Sequence, residues 1–127
     1  MSLDPAEFEP FRCEVDPDRA SVFVRPVGEL DLATVPIVDT QLAELMAAGF
    51  ASVVVDLRRL RFLDSSGVRL LLSWAAKSRA AGVDLSFIPG PPAVQRVFEI
   101  TGVGHHLVFS DLGQRTIPGR LTEGTAG

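Results

Sequence analysis

Two hydrophobic periods alternate along the chain. Phe11 and Cys13 alternate with Arg12 and Glu14, and Val22-Phe23-Val24 is a β-branched and aromatic run; both patterns predict short strands. Asp16-Pro17-Asp18-Arg19 between them has turn composition, so the pair is expected to form an antiparallel hairpin. Val27-Gly28-Glu29-Leu30-Asp31 then leads out of the second strand. Val35, Val38, Leu42, Leu45 and Met46 recur at helical spacing, while Asp39, Gln41 and Glu44 fall elsewhere. Either Asp31 or Thr34 can cap this helix, Pro36 suits a first turn, and Gly49 is placed to stop it.

Residues 51–57 form a Val-rich run with Asp56 near its end, the pattern of a strand buried on both faces. Residues 58–63 read as a short loop. A second helix is predicted over 66–81, closed by Gly82, and Val83-Asp84-Leu85-Ser86-Phe87-Ile88 reads as a further strand. Pro89-Gly90-Pro91-Pro92 breaks the chain and starts a third helix over 93–101, with Val94, Val97 and Phe98 as its apolar stripe. Leu107-Val108-Phe109 completes the pattern as a last short strand. Strands alternating with helices imply right-handed crossovers. The expected fold class is therefore α/β: a mixed, mainly parallel sheet of four to five strands with three to four helices, preceded by an N-terminal β-hairpin.

Composition narrows the function classes. With 127 residues, 46% hydrophobic content and a net charge of −4, the chain has the makings of one globular domain, expected over 8–112, and not of a disordered protein. Residues 1–7 are expected to be an N-terminal extension, with Met1-Ser2-Leu3 compatible with a vector-derived origin. Residues 113–127, punctuated by Gly113, Pro118, Gly119, Gly124 and Gly127, are expected to be a flexible tail. Twelve Lys and Arg against sixteen Asp and Glu argue against a nucleic-acid binder. No apolar run approaches the ~20 residues of a membrane span, and the N-terminus lacks the features of a signal peptide. Cys13 is the only cysteine and cannot form an internal disulfide, which fits a reducing compartment. A cytoplasmic location is the expectation.

The sharpest local feature is Asp64-Ser65-Ser66-Gly67, at the turn into the second helix. A helix N-terminus has free N–H groups and the positive end of the helix dipole. A hydroxyl held there can carry a phosphate, which those donors would stabilise while Asp64 and Asp31 repelled it. The alternative is plain helix capping, for which Asp and Ser suffice. In the helix, Arg69, Ser73 and Lys77 form a polar stripe that is either a solvated face or a contact surface. Val68, Leu71, Leu72 and Ala75 form the core stripe. Leu70 and Trp74 lie between; a Trp there is more often core than interface, although a boundary Trp can serve as an interface anchor.

Other constellations are weaker. Glu29, Asp31, Asp56 and Asp64 could gather at strand ends, where α/β sheets place ligands. No adjacent acid pair follows the first strand, so a receiver-like Mg²⁺ site is not supported, and Asp56 is better read as a strand-end acid bonded to nearby N–H groups. His105-His106 has no metal-ligand spacing around it and reads as loop. No phosphate-binding loop, dinucleotide fingerprint or nucleophile elbow is present, so no catalytic residues and no metal site are assigned.

Three blocks occur in order: GELDLAT over 28–34, VVVDLRRLRFLDSSGVRLLL over 53–72 and PPAVQRVFEITGV over 91–103. Together they resemble the STAS-domain family and, within it, the bacterial anti-sigma factor antagonists. The resemblance covers residues 8–109. It implies that Ser65 is the phosphoacceptor, with Ser66 beside it at the helix start. It also implies that Asp31 contributes to partner recognition; with the turn residues Asp64, Ser66 and Gly67, and with Arg69 and Ser73 of the polar stripe, Asp31 makes up the expected partner-binding surface. The implied activity is partner switching. An anti-sigma factor that is also a Ser/Thr kinase binds the unmodified antagonist and releases its sigma factor. Phosphorylation of Ser65 weakens that complex, and a phosphatase resets it. The chain itself needs no cofactor, since ATP and Mg²⁺ belong to the kinase. Two departures stand out. Arg69 occupies a position where many relatives have a small residue, and the segment after Phe109 lacks a final amphipathic helix. The alternative function is a STAS adaptor or scaffold subunit of a transporter or sensory complex, without the phosphoswitch.

Overall fold

In the computed structural model, which describes residues 10–110, a hairpin opens the chain. Strand β1 (Arg12–Asp18) pairs antiparallel with β2 (Ser21–Leu30), in register from Arg12 opposite Val27 to Asp18 opposite Ser21. The turn is Arg19-Ala20, tighter than the expected 16–19. Asp16 and Pro17 stay in the ladder opposite Phe23 and Val22. Pro17 is tolerated because β1 is an edge strand, and Arg19 closes the turn at φ 58.

β2 also runs further than its composition suggests, since Val27, Gly28, Glu29 and Leu30 remain extended. Its first half pairs in parallel with β3 (Ser52–Asp56), Ser21 opposite Ser52 through Val24 opposite Val55. β2 leaves β3 after Val24 and has a new partner from Gly28, which has φ 115; the register with that partner shifts between Gly28 and Glu29. The new partner, again parallel, is β4 (Leu60–Leu63). The segment expected to be a loop over 58–63 therefore contains a strand. Four residues with two charged neighbours carry too little periodicity to reveal it. β5 (Asp84–Ile88) completes the order β1-β2-β3-β5, with β4 beside β2. No strand forms at Leu107-Val108-Phe109. A single parallel bridge joins Phe109 to Phe87, with the Phe87 N–H donating to the Val108 carbonyl at 2.8 Å.

The helices follow the predicted stripes. α1 (Val35–Ala47) buries Val38, Leu42 and Leu45; α2 (Ser65–Ala81) buries Val68, Leu71 and Ala75; α3 (Pro92–Thr101) buries Val94 and Phe98. They meet alternate residues of the sheet, Val22, Val24, Val53, Val55, Leu85 and Phe87, in one core. Each such buried side chain contributes about 1.5–3 kcal/mol relative to exposure. No helix among the described residues is long and apolar enough to cross a membrane. The expected N-terminal extension and C-terminal tail lie outside the described residues.

Candidate functional site: the turn into helix α2

The site is built where β2 and β4 end side by side. The Asp64 N–H donates to the Leu30 carbonyl at 3.2 Å, so the residues that follow the two strands, Asp31 and Asp64, are held as neighbours in the fold. Asp64 has extended backbone and caps α2; its Oδ1 accepts from the Gly67 N–H at 3.1 Å. Ser65 is the first helical residue and is exposed, while Ser66 is half-buried. The capping reading of this turn is therefore correct for Asp64, and it leaves the Ser65 hydroxyl open to a partner. A phosphate there would sit at the positive end of α2 and beside the carboxylate that already holds a helix donor.

Gly67 explains how close α2 comes to the strands. A Cβ at this position would lie 2.5 Å from Leu63 Cδ1, 3.0 Å from Leu30 Cγ and 3.1 Å from the Leu30 carbonyl oxygen. Only a residue without a side chain lets the helix start this near to β2 and β4. The glycine of the Asp-Ser-Ser-Gly turn thus positions the serine hydroxyl.

Asp31 is fixed within its own turn. Its Oδ1 accepts from the N–H groups of Ala33 and Thr34, at 3.0 and 3.1 Å. The Thr34 hydroxyl accepts from the Asp31 N–H at 3.0 Å and donates to the Glu29 carbonyl at 2.7 Å. Thr34 occupies the cap position of α1, yet its side chain caps no helix N–H; it points back to tie down the loop. Beyond the turn, Arg69 and Ser73 are exposed on α2, one helical turn apart, and Lys77 continues the stripe with its ammonium 4.5 Å from the Trp74 ring centroid.

Three expectations are corrected. Trp74 does not lie between the stripes as an interface anchor: it is buried, in keeping with the core reading, and its indole N–H donates to Asp39 Oδ1 at 2.7 Å, joining α2 to α1. Leu70 is buried as well. The four acids do not gather. Asp31 and Asp64 are neighbours, but Glu29 stands exposed opposite Phe62, and Asp56 is fully buried at the end of β3. Among the described residues no three His, Cys, Asp or Glu side chains converge as ion ligands.

Asp56 has stronger partners than backbone alone. Its Oδ1 accepts from the Arg58 N–H at 3.0 Å and from Arg58 Nε at 2.9 Å. Its Oδ2 accepts from Arg25 Nε at 2.9 Å and Arg58 Nη2 at 2.8 Å. Burial pushes this carboxyl up, but the hydrogen bonds from Arg58 and Arg25 outweigh it and hold the carboxyl below its usual range. Burial, with help from Glu14, pushes the Cys13 thiol up to about 11, which keeps it protonated near neutral pH.

Sequence reasoning missed the apolar surround of the turn. Leu32 and Phe62 are 74% and 49% exposed, one residue after Asp31 and two before Asp64. Their places in Asp31-Leu32-Ala33-Thr34 and Phe62-Leu63-Asp64 were visible, but period-two and helical patterns assign apolar residues to the core by default.

Comparison with known proteins fits this geometry. The family described as "Mlab, STAS domain" matches residues 13–110. The anti-sigma F factor antagonist of Lysinibacillus sphaericus is 29% identical over 87 residues, 68% of this chain and 74% of that protein. The anti-sigma-B factor antagonist of Staphylococcus aureus (strain NCTC 8325 / PS 47) is 29% identical over 80 residues, 63% of this chain and 74% of that protein. The solved structure of the anti-sigma factor antagonist SpoIIAA in its unphosphorylated form superposes with a TM-score of 0.66. It is 26% identical and covers 83% of this chain and 91% of that one. The chain belongs to the STAS-domain family.

Proposed function

We propose that the chain is an anti-sigma factor antagonist that works by partner switching and catalyses no reaction of its own. In this reading the unmodified protein presents the α2 turn to an anti-sigma factor kinase, which then releases its sigma factor. The kinase transfers phosphate from Mg-ATP to the Ser65 hydroxyl, and a phosphatase removes it. The observation that carries the reading is the exposed Ser65 at the start of α2, between Asp64 and the neighbouring Asp31 turn. The names of the relatives support the same class of partner.

Each neighbouring residue has a role in this scheme. Asp64 and Gly67 set the turn, Ser66 continues the first helical turn, and Asp31 fixes the adjacent loop. Arg69 and Ser73 extend the contact surface along α2. A phosphate adds about 1.5–2 negative charges at pH 7 next to Asp64, so a partner that accommodates the hydroxyl would face a desolvated dianion instead.

Incubating the full chain with its cognate kinase and Mg-ATP should add one phosphate by intact mass, and Ser65→Ala should abolish the addition. Retention of the phosphate at the same stoichiometry in Ser65→Ala would remove Ser65 from the mechanism. Ser65→Asp should weaken kinase binding roughly tenfold or more by calorimetry, through repulsion at the contact.

A second reading follows from Arg69, a long cation exposed in the first turns of α2. It suits a STAS adaptor or scaffold subunit of a transporter or sensory complex, whose partner contacts the surface without modifying Ser65. That reading predicts no phosphate transfer, and partner affinity that responds to Arg69→Ala but not to Ser65→Asp.

A further inference from the structure

We propose that the crevice at the carboxyl end of β3 binds a small phosphate-bearing ligand, at a place separate from the α2 turn. A cavity of about 330 Å³ opens there, lined by Arg25, Asp56, Arg58 and Arg59. It lies where β2 stops pairing with β3 and takes up β4. The divergence of two parallel partners leaves an opening beyond a strand's carboxyl end, the position at which α/β sheets receive ligands.

The cavity wall is preorganised. The Arg25 and Arg58 guanidiniums are held in place by the buried Asp56 carboxylate. Glu14 Oε1 accepts from Arg25 Nη1 at 3.1 Å, and Glu14 Oε2 accepts from Arg12 Nε at 2.8 Å. The loop backbone is fixed as well: the Leu57 N–H donates to the Ile88 carbonyl and the Gly28 N–H donates to the Arg59 carbonyl, both at 3.1 Å.

What remains unspent points to an anion. Arg25 commits Nε and Nη1, and its Nη2 donates to no group among the described residues. Arg59 is exposed, and its side chain makes no ion pair among them. Among the described residues the crevice is lined by three guanidiniums (Arg25, Arg58 and Arg59) and one carboxylate (Asp56), in a chain whose net charge is −4. Planar guanidinium forks match the oxygens of a phosphate; the Arg25 fork is already held in place by Asp56 and Glu14, and the exposed Arg59 fork can close over the anion.

The test is a titration of the full, isotope-labelled chain with inorganic phosphate at constant ionic strength, followed by amide chemical shifts. Saturable shifts are expected at residues 56–59 and at Arg25, with the Ser65 turn unmoved. Arg59→Ala should weaken this binding about fivefold or more, and Arg59→Lys, which keeps the charge but loses the fork, should fall between. Arg59 is exposed, so both variants should melt like the wild type. Glycerol 3-phosphate identifies the source: tighter binding than phosphate marks a phosphate monoester, and equal binding marks the free anion. Three results would overturn the proposal: no saturation up to about 50 mM phosphate, wild-type affinity in Arg59→Ala, or shifts centred on the α2 turn with residues 56–59 unmoved.

Discussion

Replacing Gly67 with Ala would drive a methyl into Leu63 and the Leu30 backbone. Because the carbonyl oxygen cannot swing away as a side chain can, α2 itself must shift. The expected cost is about 1–3 kcal/mol in urea unfolding, and the displaced Ser65 should be a poorer kinase substrate even where the protein is folded. An unchanged midpoint would mean that the helix start is not wedged against the strands. Asp56 is a residue of the opposite kind, a charge buried among its counter-ions. Asp56→Ala strands two guanidiniums beside an apolar site. A cost of about 2–3 kcal/mol is expected, below the upper range for buried pairs because both arginines reach solvent. The sign of its pH dependence follows from the lowered carboxyl. The stabilisation is fully present above the unfolded-state value of about 3.9 and is lost as pH falls through the lower folded value. The stability gap between wild type and Asp56→Asn should therefore be constant from pH 7 to about 5 and narrow in acid.

Among the elements, the joint between α1 and α2 rests on one polar contact within an apolar interface. The chain has a single tryptophan, and its indole N–H reaches from α2 to Asp39 on α1. Asp39→Ala leaves that buried donor without a partner and should cost about 1–3 kcal/mol, with a change in tryptophan emission that reports the site directly. Identical emission in the variant would show that water replaces the carboxylate. β2 has a larger architectural role than any other strand. It pairs with β1, β3 and β4 in turn, and its change of partner between Val24 and Gly28 brings its end beside that of β4. Both the α2 turn and the arginine crevice are by-products of that handover.

For the whole molecule, the proposed phosphorylation would be a large change in a small charge balance. The chain carries −4 unmodified, and one phosphate would take it to about −5.5 to −6 at pH 7. Isoelectric focusing should resolve the two forms, and Ser65→Ala should leave only the less acidic band after kinase treatment. The modified group would lie at an exposed helix start, outside the core of Val22, Val53, Leu71 and Phe87. The proposed switch would therefore need no refolding, and circular dichroism of the two forms should coincide. A large loss of helix on phosphorylation would contradict a mechanism based on surface charge.

Local pattern alone fixed much of this protein. Helical spacing identified the buried stripes of α1, α2 and α3, and the Val-rich run identified β3, because burial imposes a period on any chain that packs one face. Asp64-Ser65-Ser66-Gly67 was legible as a helix start, since capping chemistry depends only on residues within one turn. The tertiary structure decided whatever depends on which distant segments meet. β4 was hidden because it exists only through its pairing with the second half of β2, not through its own periodicity. Pro17 resembled a turn residue because nothing local shows that β1 is an edge. The depth of Trp74 depended on Asp39, 35 residues away, and the Asp56 network on Arg25, 31 residues away. A sequence displays contacts within a turn or a strand; long-range pairs of charge, donor and acceptor exist only once the sheet order places them together.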